Sequence, residues 1–259
     1  GRNAAVGNEA MYSNTTGVHC VAVGQYSLYA NTTGIYNIAI GYQALYSNTT
    51  ASYNVASGYQ ALYANTTGDR NVASGYQVLK ANTTGNCNVA SGYYTLMTNT
   101  TGVANTGCGT HALRYNTTGA NNTAVGYNAL QLNTTGNYNT AVGYDALVSN
   151  TTGEYNTACG LSALQNNTTG NYNTASGHWA LAYNTTGVYN TAIGLSAGSS
   201  ITTGDYNLCL GYDAEPSSAT VDDEVVLGDN HVATLRCNTS TISSLSDARD
   251  KVEVEPSPL

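Results

Sequence analysis

Residues 133–149 read N-T-T-G-N-Y-N-T-A-V-G-Y-D-A-L-V-S, and this seventeen-residue unit recurs along most of the chain. With the first Asn as position one, a new unit begins every seventeen residues without insertion, at Asn14, Asn31, Asn48, Asn65, Asn82, Asn99, Asn116, Asn133, Asn150, Asn167 and Asn184. A degenerate twelfth copy begins at Ile201, and residues 1–13 are the tail of an earlier unit. Self-similarity at a short fixed period is typical of a solenoid, in which each unit forms one rung.

The middle of the unit, from position six to position twelve, has the alternation of a β-strand. Positions seven, nine and eleven are expected to point one way, and positions six, eight, ten and twelve the other. Position eleven is Gly in all thirteen copies, from Gly7 to Gly211. The Asn-Thr-Thr-Gly segment has turn chemistry, because Asn tolerates the left-handed region and Gly supplies positive φ. The sequence therefore predicts an all-β chain, a β-solenoid or β-roll of seventeen-residue rungs.

The predicted interior of each rung is thin. Position fifteen is Leu in almost every copy, and positions nine, eleven and fourteen are small, so we expect the core to include Leu45, Leu62, Leu130, Leu147, Ala141 and Gly143. So little aliphatic bulk suggests that the small-residue face is buried against other chains, and a parallel homotrimer is the expected assembly.

Stacking in register also predicts ladders along the rod. Asn side chains at positions one and seven are expected to form amide ladders, and Tyr at position six an aromatic column. The expected ladder residues include Asn31, Asn48, Asn133, Asn139, Tyr138, Tyr155 and Tyr172. Each Asn-Thr-Thr is also a formal N-glycosylation sequence, which we interpret as a repeated turn.

The regular pattern predicts three segments. Residues 1–214 form the repeat shaft, residues 215–245 a short β-rich neck with two strands, and residues 246–259 the start of a further domain or a linker. About twelve and a half rungs spaced at about 4.8 Å predict a rod roughly 60 Å long.

The composition excludes several classes of function. Charged residues make up only 8% of the 259, and no basic patch exists, so we expect no nucleic-acid partner. No apolar run approaches the roughly 20 residues of a membrane span, so no membrane insertion is expected. Nine of the fifteen acidic residues lie between Glu215 and Glu255, which gives the C-terminal part most of the net charge of −8.

The cysteines and histidines are scattered over different positions of the unit. Cys108 and Cys159 share a position but are three rungs apart, roughly 14 Å at the usual strand spacing, which is too far for a disulfide. We interpret the cysteines as small apolar residues in packed positions. We expect no metal site, no cofactor and no catalytic histidine.

The segment from Leu235 to Lys251, L-R-C-N-T-S-T-I-S-S-L-S-D-A-R-D-K, carries a resemblance. It is similar to the junction that leads into the intramolecular chaperone domain of phage tail fibres and tailspikes, the endosialidase-type peptidase S74 family. The N-T-A-x-G-Y-x-A-L rungs resemble repeats of such tail fibres, notably those of cyanophages. They also resemble the β-roll heads of trimeric autotransporter adhesins.

The family resemblance implies a self-cleavage step. In that family the chaperone trimerises, folds the fibre and then cuts itself off at the Ser of the Ser-Asp motif. The matching residues here are Ser246 as nucleophile and Lys251 as the base that activates it. Only thirteen residues follow Ser246, so self-cleavage is expected only where a full chaperone domain follows. Otherwise the chain is not expected to be an enzyme.

The expected function is therefore a structural trimeric fibre of a virion, a phage tail-fibre shaft with host-receptor binding as an additional role. Its expected partners are copies of itself, other virion tail components and a host cell-surface glycan or protein, and its location is the virion, outside the cell. The alternatives are a bacterial adhesin head and, third, an ice-binding solenoid. We expect recognition at the variable positions five, thirteen, sixteen and seventeen.

Overall fold

The computed structural model describes residues 2–229 together with 231 and 232, and every regular element in this part of the chain is a β-strand. The predicted all-β solenoid of seventeen-residue rungs is confirmed. The strands begin at position eight of successive rungs and are β1 Ala4–Val6, β2 Val21–Val23, β3 Ile38–Ile40, β4 Val55–Ser57, β5 Val72–Tyr76, β6 Val89–Tyr93, β7 Thr106–Cys108, β8 Thr123–Val125, β9 Thr140–Val142, β10 Thr157–Cys159, β11 Thr174–Ser176, β12 Thr191–Ile193, β13 Leu208–Leu210 and β14 Val225–Leu227.

All fourteen strands form one parallel sheet in sequence order. Each strand pairs with the same residues of the next rung, as Thr140 pairs with Thr157. The remaining sides of the rung are bonded as well. The N–H of Leu130 donates to the carbonyl of Ala146 at 3.0 Å, and the N–H of Thr134 to that of Thr151 at 2.9 Å. Each rung is thus joined to its neighbours around its whole outline.

The corners of the rung use left-handed backbone at residues other than glycine. Tyr138, Asp145 and Leu147, at positions six, thirteen and fifteen, have φ values of 58°, 54° and 52°. This region is unfavourable for residues with a side chain. Their N–H groups donate to neighbouring rungs at 3.0–3.1 Å, and the bonds recur from rung to rung. Stacking therefore stabilises corners that local propensity opposes.

Position eleven needs glycine for two reasons. Gly143 has a φ of 142°, and a Cβ at this residue would collide with the carbonyl oxygen of Gly160 in the next rung. The same φ region and the same kind of collision recur along the column. The invariance of this position therefore reflects the close approach of one rung to the next.

The core lies entirely inside one chain. Leu45, Leu62, Leu130, Leu147 and Ala141 are fully buried in it. The Asn side chains of positions one and seven are also fully buried between Asn31 and Asn190, and they fill the cross-section that aliphatic side chains leave open. The inference that the small-residue face is buried against other chains was wrong for its alanines, because they are fully buried inside their own chain. Gly143, expected in the core, is only half-buried, as are the other glycines of position eleven in the regular rungs.

The solenoid continues beyond the predicted boundary at Ala214. Strand β14 pairs with β13 in the same seventeen-residue register, with Leu208 opposite Val225. The N–H of Gly228 then donates to the carbonyl of Leu210 at 2.6 Å. Val-Val-Leu-Gly keeps the alternation of Thr-Ala-x-Gly, so the backbone register persists where the consensus is lost. One predicted neck strand is therefore a thirteenth rung, and residues 233–259 lie outside the described part.

Candidate functional site

A ladder of buried amides runs along position one. The Nδ2 of Asn133 donates to the Oδ1 of Asn116 at 2.8 Å and to the carbonyl of Gly136 at 3.0 Å. Asn48 donates to Asn31 in the same way at 2.9 Å, and the pattern continues to Asn184. Because both amide hydrogens are engaged and the side chains are buried, these triplets are turns and not glycan acceptors.

The ladder at position seven has a different composition. The Oδ1 of Asn139 accepts from the backbone N–H of Asn156 at 3.0 Å, and its Nδ2 donates to the carbonyl of Gly153 at 2.8 Å. The Oδ1 of Asn139 also accepts from the Nδ2 of Asn156 at 3.2 Å, so in this column the backbone N–H of the next rung is an additional donor, which the column of position one lacks. Together the two columns satisfy the buried polar groups of the turn.

Tyrosine rings stack along the outer surface. Tyr138, Tyr155 and Tyr172 lie in one column at position six, with ring centroids 4.8 and 4.9 Å apart and nearly parallel planes. Desolvation by its surroundings raises the pKa of Tyr155. Two further stacked columns were not predicted, although the seventeen-residue spacing of their tyrosines is visible in the sequence. They consist of Tyr42, Tyr59, Tyr76 and Tyr93 at position twelve, and of Tyr12, Tyr29, Tyr46 and Tyr63 at position sixteen.

The two threonines of each turn have different environments. Thr134 is half-buried, and its hydroxyl donates to the carbonyl of Thr151 at 3.0 Å. Thr135 is exposed, and its hydroxyl bonds no other described residue. Position three is an exposed Thr in all twelve rungs from Thr16 to Thr203. It is the one exposed position that never varies.

The outer side of the β-sheet, which we call the sheet face, consists of positions eight and ten of β1–β14. None of its residues is charged; they are Val, Ile, Leu, Ala, Thr, Ser and Cys. Large apolar side chains on it, such as Ile40, Val89 and Ile193, are 44–48% exposed. The face is flanked by positions six and twelve, which are Tyr in most rungs; four consecutive rungs have Arg70, Cys87, Ala104 and Asn121 at position six.

Side chains at two of the variable positions expected to carry recognition form hydrogen bonds within the chain. At position five, the Oγ of Ser52 accepts from the N–H of Ile35 at 3.1 Å, and the Oδ1 of Asp69 accepts from the N–H of Ser52 at 2.7 Å. At position thirteen, Gln60 donates to Gln43 at 2.8 Å. The polar side chains of position five therefore cap the turn of the preceding rung and are only partly exposed in most rungs, while recognition at the variable positions stays a prediction.

The cysteines fall into two groups. Cys20 and Cys209 are buried, and burial together with Glu215 and Glu224 raises the pKa of Cys209 to about 11. Cys87, Cys108 and Cys159 are exposed. The interpretation of these three as packed residues was wrong, because positions six and ten point outward. Within the described residues, no three His, Cys, Asp or Glu side chains are grouped so as to hold a metal ion.

The C-terminal end has a shallow recess of about 390 Å³ lined by Asp213, Glu215, Val226, Gly228 and Asp229. The carboxylate of Glu215 accepts hydrogen bonds from the backbone N–H groups of Ser199 and Ser200, each at 2.9 Å. This carboxylate therefore caps a turn. The self-cleavage candidates Ser246 and Lys251 lie outside the described residues.

No helix in the described part of the chain is long and apolar enough to cross a bilayer. Comparison of the chain with protein-family models, with curated proteins and with solved structures found no match. The geometry of the rungs must therefore support any functional conclusion directly.

Proposed function

We propose that the chain is the shaft of a trimeric virion fibre of the phage tail-fibre type. The observation that carries this proposal is the unbroken bonding from rung to rung along the described solenoid. Such a chain is a stiff rod, and its regular surface has no deep enclosed pocket among the described residues. A rod of this kind supplies length and a repeated surface, which are the properties that a fibre needs.

The ladders favour a load-bearing role. Pulling one rung away from the next must break backbone hydrogen bonds on each side of the rung together with the buried Asn contacts of positions one and seven. Each broken bond leaves a buried donor or acceptor without a partner, at about 1–3 kcal/mol per group. Local opening is therefore expensive, and the shaft should resist proteases.

The attribution to a virion is supported by the sequence between Leu235 and Lys251, which resembles the chaperone junction of tail fibres. In such a particle the chain's partners are other tail components and a host-surface glycan or protein. Three copies per fibre, and several fibres per particle, let weak surface contacts add through effective concentration.

Light scattering on the purified chain tests the assembly. A mass of three times 26.8 kDa supports the trimeric fibre, and the adhesin-head alternative shares that expectation. A mass of one chain contradicts both. Digestion with a broad-specificity protease should leave the segment 14–228 intact, and rapid cleavage inside it would contradict a load-bearing shaft.

One observation favours ice binding as a second candidate. The column from Thr16 to Thr203 presents an unengaged hydroxyl and a methyl group at each rung. It supplies one outward Thr per rung, whereas a flat ice-binding surface needs at least two columns. The measurement is thermal hysteresis, the difference between the melting and freezing temperatures of the solution. Hysteresis that disappears when Thr118, Thr135 and Thr152 are changed to Lys would favour this candidate. No hysteresis in the wild type would exclude it.

A further inference from the structure

We infer that the sheet face is the surface through which copies of this chain associate, side by side and in register. This inference rests on the proposed trimer and specifies its interface. It replaces the small-residue face as the expected interface, because the alanines of that face are buried inside each chain.

The composition of the sheet face is that of an interface core. Its outward residues include Val23, Ile40, Val72, Val125 and Val142, each 38–44% exposed. Charged side chains are absent from both of its columns along β1–β14. Depletion of charge with retention of apolar and aromatic residues distinguishes the buried centre of an interface from the remaining surface.

The other sides of the rung are less suitable for close packing. Position thirteen carries Glu9, Asp145 and Asp213, and position sixteen carries Lys80 and Arg114. Position five carries carboxylates and amides that already cap turns. Burying such charged groups without partners is costly. The threonine side of positions two and three is also free of charge, but the sheet face is the uncharged side that carries large apolar side chains.

The area is sufficient for a stable contact. Fourteen strands at about 4.8 Å give a length of about 60 Å, and the strip between the flanking tyrosine columns is roughly 15 Å wide. The resulting area of roughly 900 Å² per chain is close to the roughly 800 Å² that each partner buries in a standard interface.

The partner that covers the sheet face is another copy of this chain, because only a surface with the same rung spacing matches the sheet face along its whole length. Two sheet faces with identical rung spacing place equivalent side chains opposite one another at every rung. Packed sheets lie about 10 Å apart, so each wall stands about 5 Å from the shared centre. Three walls at that distance enclose a triangular prism with sides of about 17 Å, which is close to the width of the strip.

Paired lysine substitutions provide the test. Ile38→Lys with Val72→Lys places two charges on the sheet face, two rungs apart. The matched control, Thr33→Lys with Thr67→Lys, places the same charges in the same rungs at position three, which is also exposed. Both sites are on the surface, so circular dichroism and the thermal midpoint should show that both variants fold. Light scattering is then compared for the wild type and the two variants.

A multimeric wild type, a multimeric control and a sheet-face variant reduced to a single chain support the inference. A sheet-face variant that stays multimeric overturns the inference and leaves the proposed trimer standing. A monomeric wild type contradicts the trimer itself. Site-resolved alkylation gives a second readout: in the assembled wild type, Cys108 and Cys159 should react at least tenfold more slowly than in the sheet-face variant. Equal rates in a multimeric wild type would also overturn the inference.

Discussion

The regular rungs and the end of the solenoid fill the same interior with different residues. In the regular rungs, Leu occupies position fifteen and Asn the following position one. At the end, these positions are Gly198 and Ile201. A Cβ on Gly198 would lie 3.2 Å from Leu181 and 3.3 Å from Ile201. The buried side chain of Ile201 therefore occupies the space that a leucine fills elsewhere.

The difference shows that the aliphatic core and the amide ladder are coupled. Because Ile201 cannot donate, the Oδ1 of Asn184 is buried without a hydrogen-bond partner. The ladder of position seven ends differently, since the N–H of Glu224 donates to the Oδ1 of Asn207 at 3.0 Å. Each Asn oxygen of a ladder has a hydrogen-bond partner only if the next rung supplies a donor. At the end of the solenoid another group must supply that donor, or the oxygen stays without a partner.

The largest effect is expected from breaking the ladder in a regular rung. Asn116→Ala removes a donor to the Oδ1 of Asn99 and to the carbonyl of Gly119, and the acceptor of Asn133. The carbonyl of Gly119 keeps the Nδ2 of Asn105 as a donor at 2.8 Å, so two buried groups, on Asn99 and Asn133, lose their partner, and we expect a loss of about 2–5 kcal/mol in the free energy of unfolding. Urea unfolding followed by circular dichroism measures it.

Asn184→Ala is the matched change at the end of the ladder. Its Oδ1 is already unpaired, so only two partners are lost and the effect should be smaller by about 1–3 kcal/mol. Equal losses at the two sites would show that the bond accepted by the Oδ1 of a ladder Asn does not stabilise the rungs.

A somewhat smaller effect is expected in the aliphatic column. Leu130 is fully buried, so Leu130→Ala should lower the free energy of unfolding by about 2–4 kcal/mol through lost burial and a cavity. Gly198→Ala changes the equivalent position at the end of the solenoid, where φ is 58° and the nearest neighbours are side-chain atoms. Left-handed backbone costs a residue with a side chain about 1–2 kcal/mol, so we expect a loss of that size there. A loss as large as that of Leu130→Ala would contradict the inference that Ile201 fills the space of the missing leucine.

The coupling itself can be measured with a double-mutant cycle. Ile201→Asn gives Asn184 a donor but removes the side chain that fills the core, so alone it should destabilise the chain. Gly198→Leu alone should overpack against Ile201. Together the two changes recreate a regular rung, and we expect a favourable coupling energy of about 1–3 kcal/mol. Additive effects of the two changes on thermal or urea unfolding would contradict the claim that the side chains at residues 198 and 201 compete for the same interior space.

The smallest effect concerns pH. The pKa of Cys209 is raised to about 11 from an ordinary value of 9.0, so the folded chain keeps this proton after the unfolded chain has lost it. The stabilisation is complete below pH 9 and is lost as the pH rises towards 11. Two pKa units correspond to about 2.7 kcal/mol, which solvent screening reduces to about 1 kcal/mol. Cys209→Ser should flatten this part of the stability profile relative to the wild type. An unchanged profile would exclude the thiol as the cause.

The rung itself could be predicted from the sequence. Period and strand alternation indicated which residues point inward, as the buried Ala141 shows. The expected turn chemistry was wrong, because neither Asn133 nor Gly136 has positive φ and the left-handed residues lie at positions six, thirteen and fifteen. Gly143 was recognisable as a position of close approach or of unusual backbone, because the column contains thirteen glycines and no other residue. The structure shows that both reasons apply there.

The corners and the closure of the core could not be predicted in the same way. Left-handed backbone at Tyr138 and Leu147 opposes residue propensity and exists only because neighbouring rungs bond to it. The amides of Asn133 and Asn139 were expected as ladders, but their contribution to filling the interior was not recognised, and this led to the wrong interchain core. The last rung was missed because backbone pairing persists after the consensus residues are lost.

Native-state amide hydrogen exchange tests most directly whether the regular rungs are bonded on every side. The account predicts slow exchange at positions two, eight, thirteen and fifteen alike from Asn31 to Leu181, and faster exchange from Asp213 to Asp229. Slow exchange confined to the strand at position eight, with fast exchange at the corners in the same rungs, would contradict it.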